Sequence, residues 1–270
     1  MLWITDGRTE IAATLDVGIR IIHLSHYGME NLFYRQPEDL SDGLYKPDGW
    51  KLFGGHRLWF APESESNYYP DQNPIAYSLE KDAVTLTQDI DPWMNLRKSM
   101  RLAFRQDGRI TVQWTVENWG QEPIRGALWG INTLRGGIGR IGFQGRSDEP
   151  YCPNRTLQLW RDTSLADDRI CFLNDDIIVR HKIGGSYFKV GIYSRNGSIH
   201  HENLNQTFDI TFPVYSMNQC TDGGSNVEVW MGRYCMELEV LGPIVILAPC
   251  CKTSYEVTWC VNRAEKQFYC

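Results

Sequence analysis

The sequence lacks the features that mark several large classes of protein. No stretch approaches the ~20 consecutive apolar residues that a membrane-spanning helix needs, so we expect no membrane association. Lysine and arginine number 27 against 33 acidic residues, and the formal net charge is −6. No basic stripe interrupts this acidic balance, which argues against a nucleic-acid-binding role.

The cysteines also lack the spacing of a metal or redox site. Eight cysteines occur without a C-x-x-C pair, which excludes a zinc knuckle and a thioredoxin-like site. No other His, Cys or carboxylate spacing indicates a metal site, and we expect no metal and no cofactor. Residues 1–6 show no basic segment followed by an apolar one, as a secretory signal would. We therefore expect a cytoplasmic protein with reduced thiols, several of them in the core.

Helical patterns and linkers are missing too, and alternation of apolar and polar residues dominates instead. No window shows a capped amphipathic helix of ~10 or more residues. Residues 110–117 and 255–261 alternate as strands do, and Asp107-Gly108 predicts a hairpin turn after the strand 100–104. Ten tryptophans and thirteen tyrosines add to the β preference. We predict a single all-β domain over residues 1–270, a large two-sheet sandwich. Further strands are predicted over 75–79, 84–88, 124–131, 187–193 and 227–231.

The segment from Leu52 to Glu63 is the most informative part of the chain. Gly54 and Gly55 allow a positive φ or a close approach of the backbone. They precede His56 and Arg57 inside a run that is otherwise apolar. A guanidinium near an apolar surface needs acceptors, which sugar hydroxyls or a carboxylate supply. Fixed polar groups beside flat aromatic faces are what a carbohydrate pocket requires. We expect one or two of five aromatic residues in the pocket and the rest in the core; the five are Phe53, Trp59, Trp129, Trp160 and Trp230.

A second signal lies in residues 234–243. In a strand, Glu237 and Glu239 share one face about 7 Å apart, as the ~3.3 Å rise per residue requires. Two such carboxylates repel each other unless they are solvated or paired. One interpretation is a solvated sheet face with two ordinary glutamates. The other places them on a concave sheet face, where Arg57 could pair with them and a partly buried glutamate could act as a general base.

Three blocks of sequence resemble the aldose 1-epimerase, or galactose mutarotase-like, superfamily, in one of its poorly characterised branches. They are GGHRLW with APE at 54–63, ALWGIN at 127–132, and ELEVLGP at 237–243 followed by LAP at 247–249. They occur in the superfamily's order across residues 10 to 262. The resemblance implies a β-supersandwich with an open site for a small-molecule carbohydrate on its concave face.

The resemblance also implies roles for individual residues. His56-Arg57 is similar to an Asn-Arg pair with which the epimerases bind sugar, and Trp59, Trp129 and Asn132 are further candidate substrate contacts. Glu239 would be the general base that takes the proton of the anomeric hydroxyl, with Glu237 as the alternative if the register differs. The ring then opens, a general acid protonates the ring oxygen, and reclosure on either face exchanges the anomers.

One departure from the superfamily pattern concerns the general acid. Active mutarotases carry a histidine in an Asn-His-x-Tyr-Phe-Asn-like motif, and here no histidine occurs between His56 and His181. His56 or His200 would have to supply the acid, and losing such help costs ~10²–10⁴-fold in rate. Three functions therefore stay open: an aldose 1-epimerase-like isomerase, a non-catalytic carbohydrate-binding module, and a lyase or cyclase that uses the same site, since fold does not fix function.

Overall fold

Strands make up the ordered framework of this chain. The structure is a computed structural model, and it describes residues 1–37, 49–143, 151, 155–161 and 163–264. Within these ranges there is no α-helix, and two 3₁₀ helices cover Glu65–Tyr68 and Met217–Gln219. The strands are β1 (Leu2–Thr5), β2 (Thr9–Ala13), β3 (Arg20–His26), β4 (Gly55–Ala61), β5 (Ala76–Leu79), β6 (Ala83–Thr87), β7 (Leu96–Phe104), β8 (Ile110–Asn118), β9 (Ile124–Leu134), β10 (Ile138–Gly142), β11 (Leu157–Leu159), β12 (Ile170–Phe172), β13 (Asp176–Arg180), β14 (Phe188–Ile192), β15 (Ser198–Asn203), β16 (Gln206–Thr211), β17 (Val227–Met231), β18 (Met236–Leu241), β19 (Val245–Leu247) and β20 (Lys252–Arg263).

The strands form two antiparallel sheets of ten strands each. The first has the order β1-β2-β3-β4-β9-β18-β17-β14-β11, with β19 paired to β9. The second has the order β12-β13-β10-β15-β16-β20-β8-β7-β6-β5. The predicted all-β architecture of two sheets is confirmed.

The main hydrophobic core lies between the two sheets. Alternate residues of most strands enter it, as the two-residue period of a strand requires. In β8, Trp114 is fully buried there, and in β18 Leu238 and Val240 are. The first sheet also carries apolar residues on its other face, which we call the outer face because it is turned away from the second sheet. Those residues and Trp50, which precedes β4, form a smaller cluster: Trp50, Trp59, Ala61, Ala127, Trp129, Ile131 and Leu241.

Two glycines fix the start of β4. Gly54 and Gly55 have φ of +83° and +72°, a region that side chains disfavour. A Cβ on Gly54 would lie 2.1 Å from the Tyr34 carbonyl oxygen, and one on Gly55 would lie 2.2 Å from that of Ile21. The backbone therefore passes closer to its neighbours here than any other residue would allow. This contact sets the position of Arg57 two residues later.

Two further expectations concern membrane-spanning helices and reduced thiols. In those residues, no helical segment combines the length and the hydropathy that crossing a membrane demands. Cys152 and Cys270 lie outside the described residues, and the remaining six cysteines are free thiols, with Cys220 and Cys235 buried.

Candidate functional site

A cavity of about 250 Å³ opens on the outer face of the first sheet. This volume lies just below the ~300–1,000 Å³ of pockets for drug-sized ligands, and it suits a ligand the size of one sugar ring. Aromatic rings make up most of the wall, and charged side chains of both signs lie among them. The lining residues are Trp50, Leu52, Arg57, Trp59, Glu63, Tyr68, Trp129, Ile131, Trp160, Tyr187, Phe188, Lys189, Trp230, Glu237 and Glu239.

Strand register brings the charged residues together. Arg57 of β4 lies opposite Ile131 of β9, which in turn lies opposite Glu239 of β18. Glu239 lies opposite Glu228 of β17. Directly opposed residues of antiparallel strands point to the same face. A guanidinium and two carboxylates from distant parts of the sequence therefore share the outer face.

The next set of opposed residues in the same sheet adds two further charges, those of Glu237 and Lys189. Glu237 lies opposite Thr133 of β9 on one side and Trp230 of β17 on the other. Trp230 lies opposite Lys189 of β14. Residues two apart along a strand share a face, so Glu237 and Glu239 both point to the cavity. The predicted common face of these two glutamates is the one that the cavity occupies.

Arg57 and Glu237 form a buried ion pair. Arg57 Nη1 lies 2.9 Å from Glu237 Oε1, and both side chains are less than a tenth exposed. The Thr133 hydroxyl accepts a hydrogen bond from the same Nη1 and donates one to Glu237 Oε1 at 2.7 Å. The guanidinium also lies over the Trp59 ring at 4.7 Å. Burial lowers the pKa of Arg57, but the charges of Glu237 and Glu239 outweigh it and leave the pKa raised.

Glu239 is the most deeply buried carboxyl of the cavity. Its exposed fraction is 1%, and the Trp129 indole Nε1–H donates a hydrogen bond of 2.7 Å to Oε2. Burial, together with the charges of Glu228 and Glu237, raises the pKa of Glu239 to about 8 against the opposing effect of Lys189. A carboxyl with such a pKa exchanges its proton near neutral pH, as a general acid or base must.

Lys189 is surrounded by three carboxylates. Its Nζ lies 2.8 Å from Glu228, 3.5 Å from Glu63 and 3.9 Å from Glu239. Burial lowers the pKa of Lys189, but the three carboxylates outweigh this effect and raise it above its ordinary value. The ammonium is therefore charged in the resting site. Burial raises the pKa of Glu228 to about 7.

Sequence reasoning missed Lys189 and Glu228. Each is the one charged residue within an apolar strand, Lys189 in the segment YFKVGIY and Glu228 in VEVWM. A charge inside an apolar strand is the signal that pointed to Arg57, and it would have identified these two residues as well.

Four of the five aromatic stacking candidates line the cavity, namely Trp59, Trp129, Trp160 and Trp230. The sequence predicted one or two, because tryptophans in a sandwich usually fill the core between the sheets. The outer face of this sheet carries an apolar cluster of its own, which explains the larger number. Phe53 instead lies beneath the Arg20 guanidinium, 5.0 Å from it. Trp230 stacks on Tyr187 with ring centroids 6.1 Å apart, and it keeps partial exposure, as Trp160 does.

His56 and Asn132 do not line the cavity. Both point between the sheets, where His56 Nδ1 lies 2.9 Å from Asn132 Oδ1 and its Nε2 accepts a hydrogen bond of 3.1 Å from the Trp114 indole. Burial lowers the pKa of His56 to about 3, so the ring is neutral. Adjacent residues of a strand point to opposite faces, and Arg57 therefore reaches the cavity while His56 does not. This placement corrects the expectation that His56 supplies a proton and that Asn132 contacts substrate.

His200, the other histidine considered as an acid, belongs to the second sheet. It lies in β15, and its Nδ1 is 2.7 Å from Asp209 Oδ1 of β16. Hydrogen bonding to this carboxylate raises the pKa of His200. No imidazole is among the described residues of the cavity wall. Among the described ranges there is also no group of three or more His, Cys, Asp or Glu placed to hold a metal ion.

Several solved structures have a fold similar to that of this chain. A galactose mutarotase-like protein from Lactobacillus casei ATCC 334 matches with a TM-score of 0.60 and 10% identity over 97% of this chain and 100% of that one. A galactose mutarotase related enzyme from Lactobacillus acidophilus matches with a TM-score of 0.59 and 8% identity over 98% of each chain. A proposed aldose 1-epimerase from Escherichia coli K12 matches with a TM-score of 0.53 and 13% identity over 97% of this chain and 98% of that one.

These likenesses show a shared fold. The chain has the galactose mutarotase-like β-sandwich architecture, as the sequence blocks predicted. No protein-family model matches the sequence, and no curated protein is similar to it in sequence.

Proposed function

We propose that this protein binds an aldose in the cavity and interconverts its anomers, with Glu239 as the general base. The observation that carries the proposal is the burial of Glu239 at a cavity wall, where its pKa is raised to about 8. A base with this pKa is matched to reaction near neutral pH. The same wall holds Arg57, Trp59 and Trp129, the groups that the resemblance to aldose 1-epimerases implies for sugar binding.

The surroundings of Glu239 suit this role. The Trp129 indole holds Oε2 of the carboxyl, so the other oxygen is the one left for a ligand. In the proposed reaction Glu239 takes the proton of the anomeric hydroxyl while the bond between C1 and the ring oxygen breaks. The open-chain aldehyde then recloses on either face. Apolar walls that exclude water strengthen the electrostatic interactions of such a step.

Arg57 is the proposed sugar anchor. The ion pair with Glu237 and the contact with Thr133 fix its position. A fixed guanidinium loses little conformational freedom when it donates to sugar hydroxyls. Glu237, neutralised by Arg57, is the alternative base that the sequence left open.

A second candidate function is a carbohydrate-binding module without catalysis. It is favoured by the absence of an imidazole from the described part of the cavity wall, since the epimerases use a histidine as general acid. Such a module would keep the aromatic walls and Arg57, and it would not accelerate anomer exchange.

One experiment separates these functions. NMR exchange spectroscopy on a panel of neutral aldoses measures anomer exchange, and quenching of tryptophan fluorescence measures binding. The epimerase is supported if the wild type exchanges anomers faster than buffer does and Glu239→Gln abolishes this acceleration but still binds the aldose. Binding with exchange at the buffer rate would support the module. No binding of any aldose would contradict both.

A further inference from the structure

Opening a cyclic hemiacetal needs two proton-transfer groups. One takes the proton of the anomeric hydroxyl, and the other gives a proton to the ring oxygen, which is bonded to the same carbon. Among the described residues of the cavity wall Glu239 can do the first, and the histidines expected for the second lie elsewhere. We propose that Lys189 is the catalytic acid of this site, which protonates the ring oxygen of the aldose. This inference rests on the proposed epimerase function.

The separation of the two groups supports the assignment. Lys189 Nζ lies 3.9 Å from Glu239 Oε2, and both residues line the same cavity. Two oxygens bonded to one carbon are close neighbours. An acid and a base that act on them together must therefore also be near each other, without a larger group between them. Lys189 and Glu239 meet this condition.

The surroundings of Lys189 hold its ammonium in one place. Glu228 anchors Nζ at 2.8 Å from the strand next to β14. The Trp129 and Trp160 rings lie 4.8 and 5.0 Å from Nζ, distances at which an ammonium is attracted to an aromatic face. The side chain is 12% exposed, so little water competes for its protons. Glu228 is then a positioning residue for Lys189.

Two other donors of the wall, Arg57 and Tyr68, do not fit the role. The guanidinium of Arg57 is committed to Glu237, and a guanidinium does not release a proton in proteins. The Tyr68 hydroxyl donates to Glu63. An ammonium can release a proton to the alkoxide that the ring oxygen becomes when its bond to C1 breaks.

The proton balance of the step closes within the site. Glu239 takes the proton of the anomeric hydroxyl, the C1 to ring-oxygen bond breaks, and C1 becomes an aldehyde. The ring oxygen takes a proton from Lys189, which becomes a neutral amine. The protonated Glu239 then returns its proton to Lys189 across the 3.9 Å that separates them. Reclosure runs these transfers in reverse and leaves both residues as they began.

The test compares Lys189→Met, which removes charge and proton, with Lys189→Arg, which keeps a charge that cannot be released. Lys98→Met is the matched control, because Lys98 is also a buried lysine paired at 3.9 Å, with Asp91, and it does not line the cavity. The rate of anomer exchange, measured over a range of concentrations of an aldose that the protein binds, gives kcat and KM. Circular dichroism shows whether each variant is folded. The solvent deuterium isotope effect on kcat reports proton transfer.

We expect kcat to fall by ~10²–10⁴-fold in both Lys189 variants, the usual contribution of a general acid, with a much smaller change in KM. Lys98→Met should keep kcat within a few-fold of the wild type. Full activity of Lys189→Arg would overturn the assignment, because a fixed charge would then suffice. If Lys189→Met does not fold, Lys189→Arg and the isotope effect decide. If the wild type accelerates anomer exchange and the Lys189 variants do so equally well, this inference alone is overturned. If the wild type binds aldoses without accelerating their anomer exchange, the epimerase proposal is overturned as well.

Discussion

The Glu239 carboxyl holds its proton more tightly in the folded chain than a glutamate in water does. Burial raises its pKa from 4.5 to about 8. Between these two values the folded state binds more protons than the unfolded state. By linkage, the free energy of unfolding therefore falls as pH rises through this window. Below pH 4.5 the carboxyl is protonated in both states and contributes no such change.

Glu239→Gln should remove this pH dependence. The variant keeps the shape of the protonated carboxyl but cannot ionise. We expect its stability relative to the wild type to increase from pH 5 to pH 8.5, as measured by urea unfolding at each pH. Glu256→Gln, which removes an exposed carboxylate from β20, controls for the change in net charge. A stability difference that does not vary with pH would contradict the assignment of a raised pKa to Glu239.

Single residues also show how far the sequence could predict the site. Arg57 could be found because it breaks an apolar pattern, and Glu237 and Glu239 because they share a strand face. Their meeting could not be derived from spacing, since it depends on β4 and β18 pairing with β9, strands far apart in the chain. The spacing also does not show which face of the sheet His56 points to. Alternation fixes only that His56 and Arg57 face opposite ways.

Strands with strong alternation and a glycine turn could be predicted closely. The hairpin between β7 and β8 turns at Asp107-Gly108, where Gly108 has φ +81°, and β17 has the predicted bounds of Val227–Met231. The hairpin between β15 and β16 was not predicted. Its turn residues Leu204 and Asn205 have φ of +53° and +57°. Leucine is a poor turn signal because its Cβ disfavours positive φ, so the residue pattern does not mark this turn.

The close approach at the start of β4 can be tested with two glycines of equal φ. Gly55 and Gly28 both have φ +72°, but an added Cβ meets nothing within 4 Å at Gly28 and lies 2.2 Å from the Ile21 carbonyl oxygen at Gly55. Gly28→Ala should cost about 1–2 kcal/mol, the strain of a left-handed residue. Gly55→Ala should cost at least about 2 kcal/mol more, since β3 and β4 must separate. Urea unfolding measures both, and equal costs would show that the contact carries no energy.

The Arg57–Glu237 pair ties β4 to β18 across β9. Because both groups are buried, removing one leaves an unpaired charge away from water. Arg57→Ala should therefore lower the free energy of unfolding by about 3–5 kcal/mol. Arg97 and Glu117 form a half-exposed pair between β7 and β8, and Arg97→Ala should cost only about 0–1 kcal/mol. Chemical denaturation of both variants provides the comparison. A small loss for Arg57→Ala would mean that water or a neighbouring group compensates Glu237.

For the molecule as a whole, the acidic balance of the chain continues into the cavity. The formal net charge is −6. Among the described residues that line the cavity, Glu63, Glu237 and Glu239 face two cations, Arg57 and Lys189. Both cations are already paired with carboxylates, Lys189 with Glu228 as well. A further negative charge would find both cations of this set already paired. Above about pH 8, where Glu239 is ionised, the excess of carboxylates would repel it as well.

The cavity should therefore prefer neutral aldoses to their phosphates. We expect an aldose 6-phosphate to bind at least ~10-fold more weakly than the same neutral sugar, about 1.4 kcal/mol, by calorimetry at low ionic strength. Salt screens charges near the opening, so the difference in affinity between the neutral sugar and its phosphate should narrow at 0.5 M NaCl. Glu63→Gln, which removes the partly exposed carboxylate beside Lys189, should narrow it further. Tighter binding of the phosphate would contradict the prediction, because it would require a cation that the cavity charges described above do not supply.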